Sequence, residues 1–416
     1  MKIGIIAIGD ELLNGQVVDT NSKVVGASIA GSSWTLTETD VIHDDPERIL
    51  CSIERMMALN DVVITSGGLG PTRDDRTKQT LLQIFGGELV EHKESAHNID
   101  NIFRRRGLTM NELTRRQAWV PSTCKVIVNR YGTAPVMWFE QDGKVLVALP
   151  GVPQEFKGCW QEEVYPALNE RFMGDELSIS STLVVSGISE SALAIRLGEF
   201  EDSLPANVHL AYLPKSPYIR LRLDGNYRKE SEAEELHRMM LDRLKGEVRE
   251  FLLSEKDESP AELLVRLLKE RRATIATAES CTGGRIASAL TAVAGASAIF
   301  KGGVVAYSNY VKSATLGVKD RTLREHGAVS LQTVEEMANG VARITGADYA
   351  LATSGIAGPG GGTPDKPVGT VCIAVKTPEE TLCELFHFTG NRESIMDRSV
   401  NTAIIKLCKL LKEING

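Results

Sequence analysis

KIGIIAIG (residues 2–9) is apolar from its second residue onward and ends in Gly9. A run that is apolar on both faces predicts a β-strand buried on both sides, as in a parallel sheet covered by helices. The following segments alternate between helix-like and strand-like patterns, and they include a second buried run, DVVITSGG (61–68). This order predicts an α/β domain with a parallel sheet between two layers of helices.

Polar and glycine-rich segments follow these strands, at the sheet edge where α/β folds bind ligands. They are GDELLNG (9–15), HDDPE (43–47) and SGGLGPTRDD (66–75). The glycines within residues 67–70 can direct backbone N–H groups at a phosphate. Six acidic residues lie in or near these segments, namely Asp10, Glu11, Asp19, Asp44, Asp74 and Asp75. Each acid alone fits a helix cap or a turn, whereas the group fits Mg²⁺ bound beside a phosphate.

The composition limits the class of partner. The 416 residues carry 47 basic and 55 acidic side chains, a net charge of −8. This balance argues against nucleic acid or an anionic membrane surface, because both need a basic face. No run approaches the roughly 20 apolar residues of a membrane span. The seven cysteines are scattered without a CxxC pair, which argues against a zinc site and a disulfide framework. We therefore expect a cytoplasmic protein of two or three domains.

Changes in sequence pattern along the chain predict the domain organisation. The first α/β pattern closes near residue 170, after KVLVALPGVPQEF (144–156). A small α+β module follows, and the polar stretch LLSEKDESP (252–260) marks its end. Strand and helix patterns then alternate again. We expect domains at 1–170, 171–253 and 254–416, that is, two three-layer α/β domains joined by a small α+β module.

TIATAESCTGGRIASAL (274–290) places Ser280 between an apolar strand and an alanine-rich helix. Ser280 or Thr282 could simply cap that helix. Alternatively, Ser280 is a nucleophile, which requires a base to take its proton. The histidines of the final domain, His326 and His387, have the context of a helix end and a strand end. Lys312, in contrast, lies among apolar residues that would lower its pKa. Both interpretations stay open on these residues alone.

Three neighbouring segments carry further polar groups. AYSNYVKSATLGV (306–318) places Lys312 just after a strand end, and TSGIAGPGGGTPDKPVGTV (353–371) is a loop whose backbone N–H groups can bind an anion. GNRESIMDRS (390–399) begins the last helix with Arg392, a side chain suited to phosphate. Cys281 is a competing nucleophile, although no histidine lies near it in the sequence to activate its thiol.

These segments, with GGVVAYSN and GAVS, resemble the C-terminal domain of the CinA family throughout the final domain. The resemblance implies a nicotinamide-nucleotide amidohydrolase, which converts nicotinamide mononucleotide to nicotinic acid mononucleotide and ammonia. It implies Ser280 as the nucleophile and Lys312 as the base, with no cofactor. Relatives often have Gly-Asp-Arg at the start of the last helix and another arginine four residues later. This chain has Asn391 and Met396 there, which leaves Arg398 as a second arginine candidate.

The same resemblance implies substrate-binding roles in this domain. The residues that would orient the dyad or the pyridine ring are Tyr307 and Asn309. Those that would line the site and supply oxyanion donors are Thr353, Ser354 and Gly355. Those that would hold the ribose phosphate are Gly358, Gly360, Gly361 and Arg392.

Residues 1–170 resemble the molybdopterin-binding domain in the form that begins full-length CinA proteins. The match rests on GDELLNGQVVDTNS, TSGGLGPTRDDRT, NRYGTAPVMW and LPGVPQEF. It implies hydrolysis of ADP-ribose to AMP and ribose 5-phosphate with Mg²⁺ or another divalent cation. The residues implied for the pyrophosphate are Gly67, Gly68 and Gly70, and those implied for metal or water are Asp44, Asp74 and Asp75. Asp44 and Asp75 match the catalytic acidic pair of the molybdenum-cofactor proteins, and the residues implied to orient ligand are Asn21 and Glu11.

The central module resembles the KH-like domain of the same family. Residues 177–250 contain no GxxG clamp, which a KH domain needs to bind nucleic acid. We therefore interpret the module as a spacer or dimer element, and we expect a homodimer.

The leading functional hypothesis is a bifunctional hydrolase of pyridine-nucleotide salvage that acts on nicotinamide mononucleotide and ADP-ribose. One alternative is a non-catalytic protein that recruits a partner during competence or DNA damage. Another is that the first domain only binds a pterin cofactor.

Overall fold

The computed structural model describes residues 1–72, 75–172, 177–227 and 230–413. The chain divides into two compact units. One contains residues 1–180 and 224–237, and the other contains residues 181–223 and 238–416. The three domain boundaries expected from the sequence stay a prediction. None of the helices in the described part of the chain is both long and apolar enough to cross a bilayer.

The first 172 residues contain eight strands and eight helices among those described. The strands are β1 (Lys2–Ile8), β2 (Thr35–Ile42), β3 (Val62–Ser66), β4 (Leu89–Glu91), β5 (Trp119–Pro121), β6 (Lys125–Ile127), β7 (Val136–Gln141) and β8 (Lys144–Leu149). The helices are α1 (Asp10–Leu13), α2 (Asn21–Ile29), α3 (Pro46–Leu59), α4 (Thr77–Phe85), α5 (Lys93–Arg105), α6 (Glu112–Arg115), α7 (Pro153–Cys159) and α8 (Tyr165–Phe172). A π-helical turn at residues 160–164 joins α7 to α8.

The main sheet here has the order β2-β1-β3-β8-β7-β6. The strands β2, β1, β3 and β8 are parallel, as the sequence predicts, but β7 runs antiparallel to both of its neighbours, β8 and β6. The reason is the two-residue turn Asp142–Gly143, in which both residues have positive φ, 51° and 77°. Such a turn closes a tight hairpin and therefore reverses the chain.

Strand β1 is buried on both faces. Ile3 and Ile5 pack in one apolar cluster, and Ile6 and Ile8 pack in another. This alternation follows the two-residue period of a strand. It confirms that helices and loops cover the sheet on both sides.

The central segment forms a four-stranded sheet with the order β10-β11-β9-β12. Its elements are β9 (Leu177–Ser186), α9 (Glu190–Asp202), β10 (Val208–Lys215), β11 (Tyr218–Tyr227), α10 (Glu230–Val248) and β12 (Leu252–Ser254). The alternating burial along β11 shows why its sequence alternates, since every second side chain is buried.

The final segment contains a five-stranded sheet with the order β14-β13-β15-β16-β17. Its strands are β13 (Ile275–Glu279), β14 (Phe300–Val305), β15 (Tyr349–Gly355), β16 (Thr370–Lys376) and β17 (Thr381–His387). Its helices are α11 (Pro260–Arg271), α12 (Arg285–Thr291), α13 (Asn309–Ala314), α14 (Asp320–His326), α15 (Leu331–Thr345) and α16 (Arg392–Glu413). Strands β14, β13 and β15 are parallel, so their carboxyl ends meet at one edge.

Candidate active sites

Ser280 follows the last residue of β13, at the edge where the parallel strands end. Its backbone N–H donates to the Thr353 carbonyl at 2.9 Å, which holds the residue against the end of β15. The sequence left open whether Ser280 or Thr282 caps helix α12. The helix begins after Gly284 with no side-chain cap at that position. The capping interpretation is therefore wrong, and the Ser280 hydroxyl is available for chemistry.

The groups at the start of α12 are instead held by Glu279, which is 1% exposed. Its carboxylate accepts from the backbone N–H groups of Gly284, Ile286 and Ala287 at 2.8–3.0 Å and from the Thr282 hydroxyl at 2.7 Å. A carboxylate is favourable at a helix N-terminus because the unpaired N–H groups carry partial positive charge. This network fixes the turn that carries Ser280.

Lys312 lies in α13, 32 residues along the chain from Ser280, and is 1% exposed. Its Nζ lies 3.0 Å from Ser280 Oγ and 2.8 Å from the Ala306 carbonyl oxygen. Burial lowers the pKa of the Lys312 amine, because the charged form loses hydration. A neutral amine at this distance can accept the serine proton.

Ser280 and Lys312 line a cavity of about 250 Å³. Five other residues predicted for this site also line it, namely Tyr307, Asn309, Ser354, Gly355 and Arg392. Thr353 does not, which corrects one expectation. Its side chain is buried and its hydroxyl lies 2.7 Å from the Thr282 hydroxyl, whereas Ser354 and Gly355, nearer the end of β15, line the cavity.

The predicted phosphate loop reaches the cavity only in part. Arg392 donates to the Gly358 carbonyl at 2.6 Å and to the Tyr307 hydroxyl at 3.0 Å, so it joins the loop to the cavity wall. Gly358 itself is buried, whereas Gly360 and Gly361 are exposed, and none of the three lines the cavity. Their phosphate-binding role stays a prediction.

The competing side chains are not suited to the chemistry. Burial raises the pKa of the Cys281 thiol to about 12, so it remains protonated near neutral pH. Neither His326 nor His387 is among the described residues that line the cavity, and His387 Nδ1 lies 3.3 Å from the Thr370 hydroxyl. Arg398 donates to the Thr389 hydroxyl at 3.2 Å and does not line the cavity. Asn391 accepts from the Ser394 N–H at 2.9 Å near the start of α16.

A larger cavity, about 590 Å³, lies at the carboxyl ends of β1 and β3 in the first unit. This volume is in the range of small-molecule sites. The predicted residues that line it are Glu11, Asn21, Asp44, Gly67, Gly68, Gly70 and Asp75. The structure thus brings together all described members of the predicted set, and Asp74 lies outside the described residues.

The glycines of this cavity are required by close approach. A Cβ on Gly67 would lie 2.2 Å from the Ile8 carbonyl oxygen, and one on Gly68 would lie 2.0 Å from the Thr77 hydroxyl oxygen. Both glycines have positive φ, 111° and 65°, which side chains disfavour. The loop therefore presents bare backbone to the cavity.

The acidic residues divide into loop caps and cavity walls. Asp75 accepts from the N–H groups of Gly70 and Thr72 at 2.7 and 2.8 Å, and Asp19 accepts from two N–H groups at the start of α2. Asp10 bonds His43 at 2.6 Å. Among the described residues, no three His, Cys, Asp or Glu side chains converge as a metal site.

The whole chain is similar to curated bacterial proteins. It is 38% identical to the CinA-like protein of Flavobacterium psychrophilum over 414 residues, which is 98% of each chain. It is also 38% identical to the CinA-like protein of Cytophaga hutchinsonii over 411 residues, with 99% of this chain and 98% of the relative covered. This chain belongs to the CinA family.

Three family models match this CinA chain in order. They are "Probable molybdopterin binding domain" at 4–170, "Damage-inducible protein CinA KH domain" at 180–253 and "CinA C-terminal domain" at 257–411. A solved structure, the competence/damage inducible protein CihA of Agrobacterium tumefaciens, is 40% identical. The match covers 37% of this chain and 97% of that one, with a TM-score of 0.35.

Two acidic residues of this CinA protein escaped the sequence analysis. Glu279 sits inside an apolar strand pattern, and no short-range signal links it to the N–H groups of α12. Glu155 lines the larger cavity and accepts from the Asn129 side chain at 2.7 Å. Burial raises the pKa of Glu155. Its position in the quoted motif LPGVPQEF was the available signal.

Proposed function

We propose that the smaller cavity hydrolyses the carboxamide of nicotinamide mononucleotide to give nicotinic acid mononucleotide and ammonia. The observation that carries this proposal is the 3.0 Å approach of Lys312 Nζ to Ser280 Oγ inside a cavity. Membership of the CinA family favours a hydrolase. A serine beside a neutral lysine is suited to acyl transfer from an amide, because the amine can activate the hydroxyl and later protonate the leaving group.

The reaction has two stages. As Ser280 Oγ bonds to the carboxamide carbon, its proton moves to Lys312 Nζ, and the carbonyl oxygen becomes an oxyanion. The C–N bond then breaks, Lys312 returns the proton to the leaving nitrogen, and ammonia departs. Lys312 then takes a proton from water, the hydroxide bonds to the acyl carbon, and the ester C–O bond breaks as Lys312 returns that proton to Ser280 Oγ. The released nicotinic acid mononucleotide loses its carboxyl proton to solvent. Each stage leaves Lys312 neutral for the next.

Arg392 supplies the positive charge for the phosphate. Its guanidinium donates to the Tyr307 hydroxyl and to the loop carbonyl of Gly358, and Arg392 is exposed to solvent. A guanidinium binds phosphate oxygens through two parallel N–H groups. Because Arg392 lines the same cavity as Ser280 and Lys312, binding the phosphate there would also position the pyridine ring at the dyad.

Ammonia release from nicotinamide mononucleotide tests this function. Wild-type enzyme should turn over in the presence of a chelator, and Ser280→Ala should abolish turnover. Ser288→Ala is the matched control, because Ser288 lies in α12 and is exposed. Full activity of Ser280→Ala would rule the mechanism out.

We further propose that the larger cavity hydrolyses ADP-ribose to AMP and ribose 5-phosphate with a divalent cation. The residues fit such an ion together with a phosphate. A Cβ on Gly68 would lie 3.0 Å from Asp44 Oδ1, and one on Gly70 would lie 2.6 Å from Asp75 Oδ2, so both carboxylates flank the bare loop. Mg²⁺ commonly binds one or two carboxylates plus phosphate oxygens and waters.

In this proposal Asp44 and Asp75 hold the cation, and the N–H groups of the glycine loop bind the pyrophosphate. The cation would neutralise phosphate charge and so favour attack at phosphorus. Asp75 also keeps the loop in shape through Gly70 and Thr72. Release of AMP from ADP-ribose, with and without chelator, tests the site. A chelator-resistant activity would exclude the cation, and binding of a pterin without hydrolysis would favour a cofactor binder.

A further inference from the structure

The loop between α14 and α15, residues 327–330, forms one wall of the smaller cavity. Ala328 and Val329 line that cavity together with the dyad. The loop belongs to no helix or strand, so its backbone groups need other partners. Its shape therefore depends on the side chains that bind it.

Side chains hold four successive carbonyl groups of this segment. Lys366 Nζ donates to the carbonyls of His326 and Val329, at 3.0 and 2.7 Å. The Ser354 hydroxyl donates to the Ala328 carbonyl at 2.7 Å. The Gly327 carbonyl accepts from the hydroxyls of Ser330 and Thr333 at 3.0 and 2.8 Å.

In the described part of the chain, two N–H groups of the same loop have no hydrogen-bond acceptor, whereas that of Gly327 donates to the Leu323 carbonyl at 3.1 Å. Among the residues described, those of Ala328 and Val329 donate to no oxygen, and neither does that of Cys281, the residue after the nucleophile. All three residues line the cavity. Backbone N–H groups that line an active site and have no other acceptor are the usual donors to a developing oxyanion.

We propose that the 327–330 loop provides the oxyanion donors opposite Cys281, and that Lys366 is the positioning residue that holds this loop in place. The inference rests on the amidohydrolase function proposed above. Lys366 is itself anchored, because its N–H and carbonyl exchange hydrogen bonds with Thr363 at 3.0 and 2.9 Å. The glycine-rich loop thereby sets the position of the opposite wall.

The effect should appear in the transition state more than in substrate binding. Lys366 lies outside the residues that line the cavity, so it does not touch the ring. Without the Lys366 amine, the carbonyls of His326 and Val329 would lose a hydrogen-bond donor. The N–H groups of the loop would then no longer be held in position. Misplacing a group by about 1 Å, or losing one oxyanion donor, costs on the order of 100-fold in rate.

The test compares Lys366→Met with wild type on nicotinamide mononucleotide and on its thiocarboxamide analogue. Sulfur accepts hydrogen bonds weakly, so the rate ratio between the two substrates reports oxyanion donors. We expect kcat for the carboxamide to fall about 100-fold with little change in KM. The ratio of the carboxamide rate to the thiocarboxamide rate should fall about tenfold. Lys366→Arg should restore part of kcat. Lys269→Met is the control, since Lys269 also donates to a loop carbonyl, that of Ala294, and does not line the cavity.

The outcomes separate the two claims. An inactive wild-type enzyme would overturn the amidohydrolase function and this inference with it. An active wild type with an unchanged substrate ratio in Lys366→Met would overturn the loop's role alone, because a lower fraction of folded enzyme reduces both rates equally. Wild-type kcat in Lys366→Met would also overturn it.

Discussion

Replacing Lys312 with methionine removes the base while keeping the length and apolar character of the side chain. Lys312 is 1% exposed, and among the described residues its amine bonds only the Ser280 hydroxyl and the Ala306 carbonyl. The substitution leaves that carbonyl without its donor, which costs about 1–3 kcal/mol when the group is buried. It also removes an amine that is buried without a counter-charge among its hydrogen-bond partners. We therefore expect a modest change in stability.

The catalytic effect should be much larger than the effect on stability. A positioned general base contributes about 10²–10⁴-fold, which corresponds to roughly 3–5.5 kcal/mol in the barrier. The pH dependence follows from the lowered pKa of Lys312. As pH falls through that pKa, the amine takes up a proton, can no longer accept one from Ser280, and kcat/KM falls. The ascending limb should lie below the ordinary lysine pKa of about 10.4.

The same pKa makes a linked prediction for stability. Between the lowered pKa of Lys312 and about 10.4, the unfolded chain binds a proton that the folded enzyme does not. The free energy of unfolding of wild type should therefore rise with pH, relative to Lys312→Met, by at most about 1.4 kcal/mol per pH unit. Below the lowered pKa both states bind the proton, so the slope disappears.

Ammonia release and denaturant unfolding across pH provide the assays. Lys409→Met is a matched control, because burial also lowers the pKa of Lys409, a half-buried lysine that bonds the Ser186 carbonyl at 3.4 Å. It should keep wild-type kcat. A Lys312→Met enzyme that stays within tenfold of wild-type kcat, or that keeps the ascending limb, would refute the role of the lysine.

Three further predictions concern residues around the two sites. Glu279→Gln replaces one carboxylate oxygen by an NH₂ group, which would face the N–H donors of the helix. The substitution should destabilise the protein by about 2–3 kcal/mol, measured by thermal unfolding. It should also lower kcat for deamidation, measured by ammonia release. Asp44→Asn or a chelator should abolish AMP release from ADP-ribose but leave deamidation unchanged; equal loss of both activities would count against separate sites. Gly68→Ala should abolish ADP-ribose binding in calorimetry, because its Cβ would lie 2.0 Å from the Thr77 hydroxyl oxygen, whereas Gly86→Ala, with a similar φ and open space, should bind normally.

The sequence predicts most of the fold because the pattern of apolar residues along a strand indicates which of its faces are buried. The apolar run of β1 and the alternating pattern of β11 both correspond to the observed faces. It failed at β7, whose direction depends on the Asp142–Gly143 turn rather than on any apolar pattern. The molybdopterin-binding-like first domain and the α/β final domain are otherwise as expected.

The candidate sites could be predicted where the reactive side chains lie just after the ends of strands. Ser280 directly follows β13, and Lys312 lies in α13, the helix after the neighbouring parallel strand β14, so their approach follows from topology once the motifs are noticed. Thr353 was misassigned because its buried hydroxyl pairs with that of Thr282, just before the point where β15 reaches the cavity. Lys366 was missed because the carbonyls that it binds lie 40 and 37 residues earlier in the chain. Glu279 was missed because its partners are backbone N–H groups, which no side-chain pattern marks.

Rapid quenching of the enzyme during turnover of nicotinamide mononucleotide, followed by peptide mass spectrometry, tests the dyad most directly. The peptide that contains Ser280 should carry the nucleotide as an acyl adduct on that hydroxyl, and the adduct should disappear as nicotinic acid mononucleotide forms. Product formation with the adduct on Cys281, or with no peptide ever modified, would contradict nucleophilic attack by Ser280.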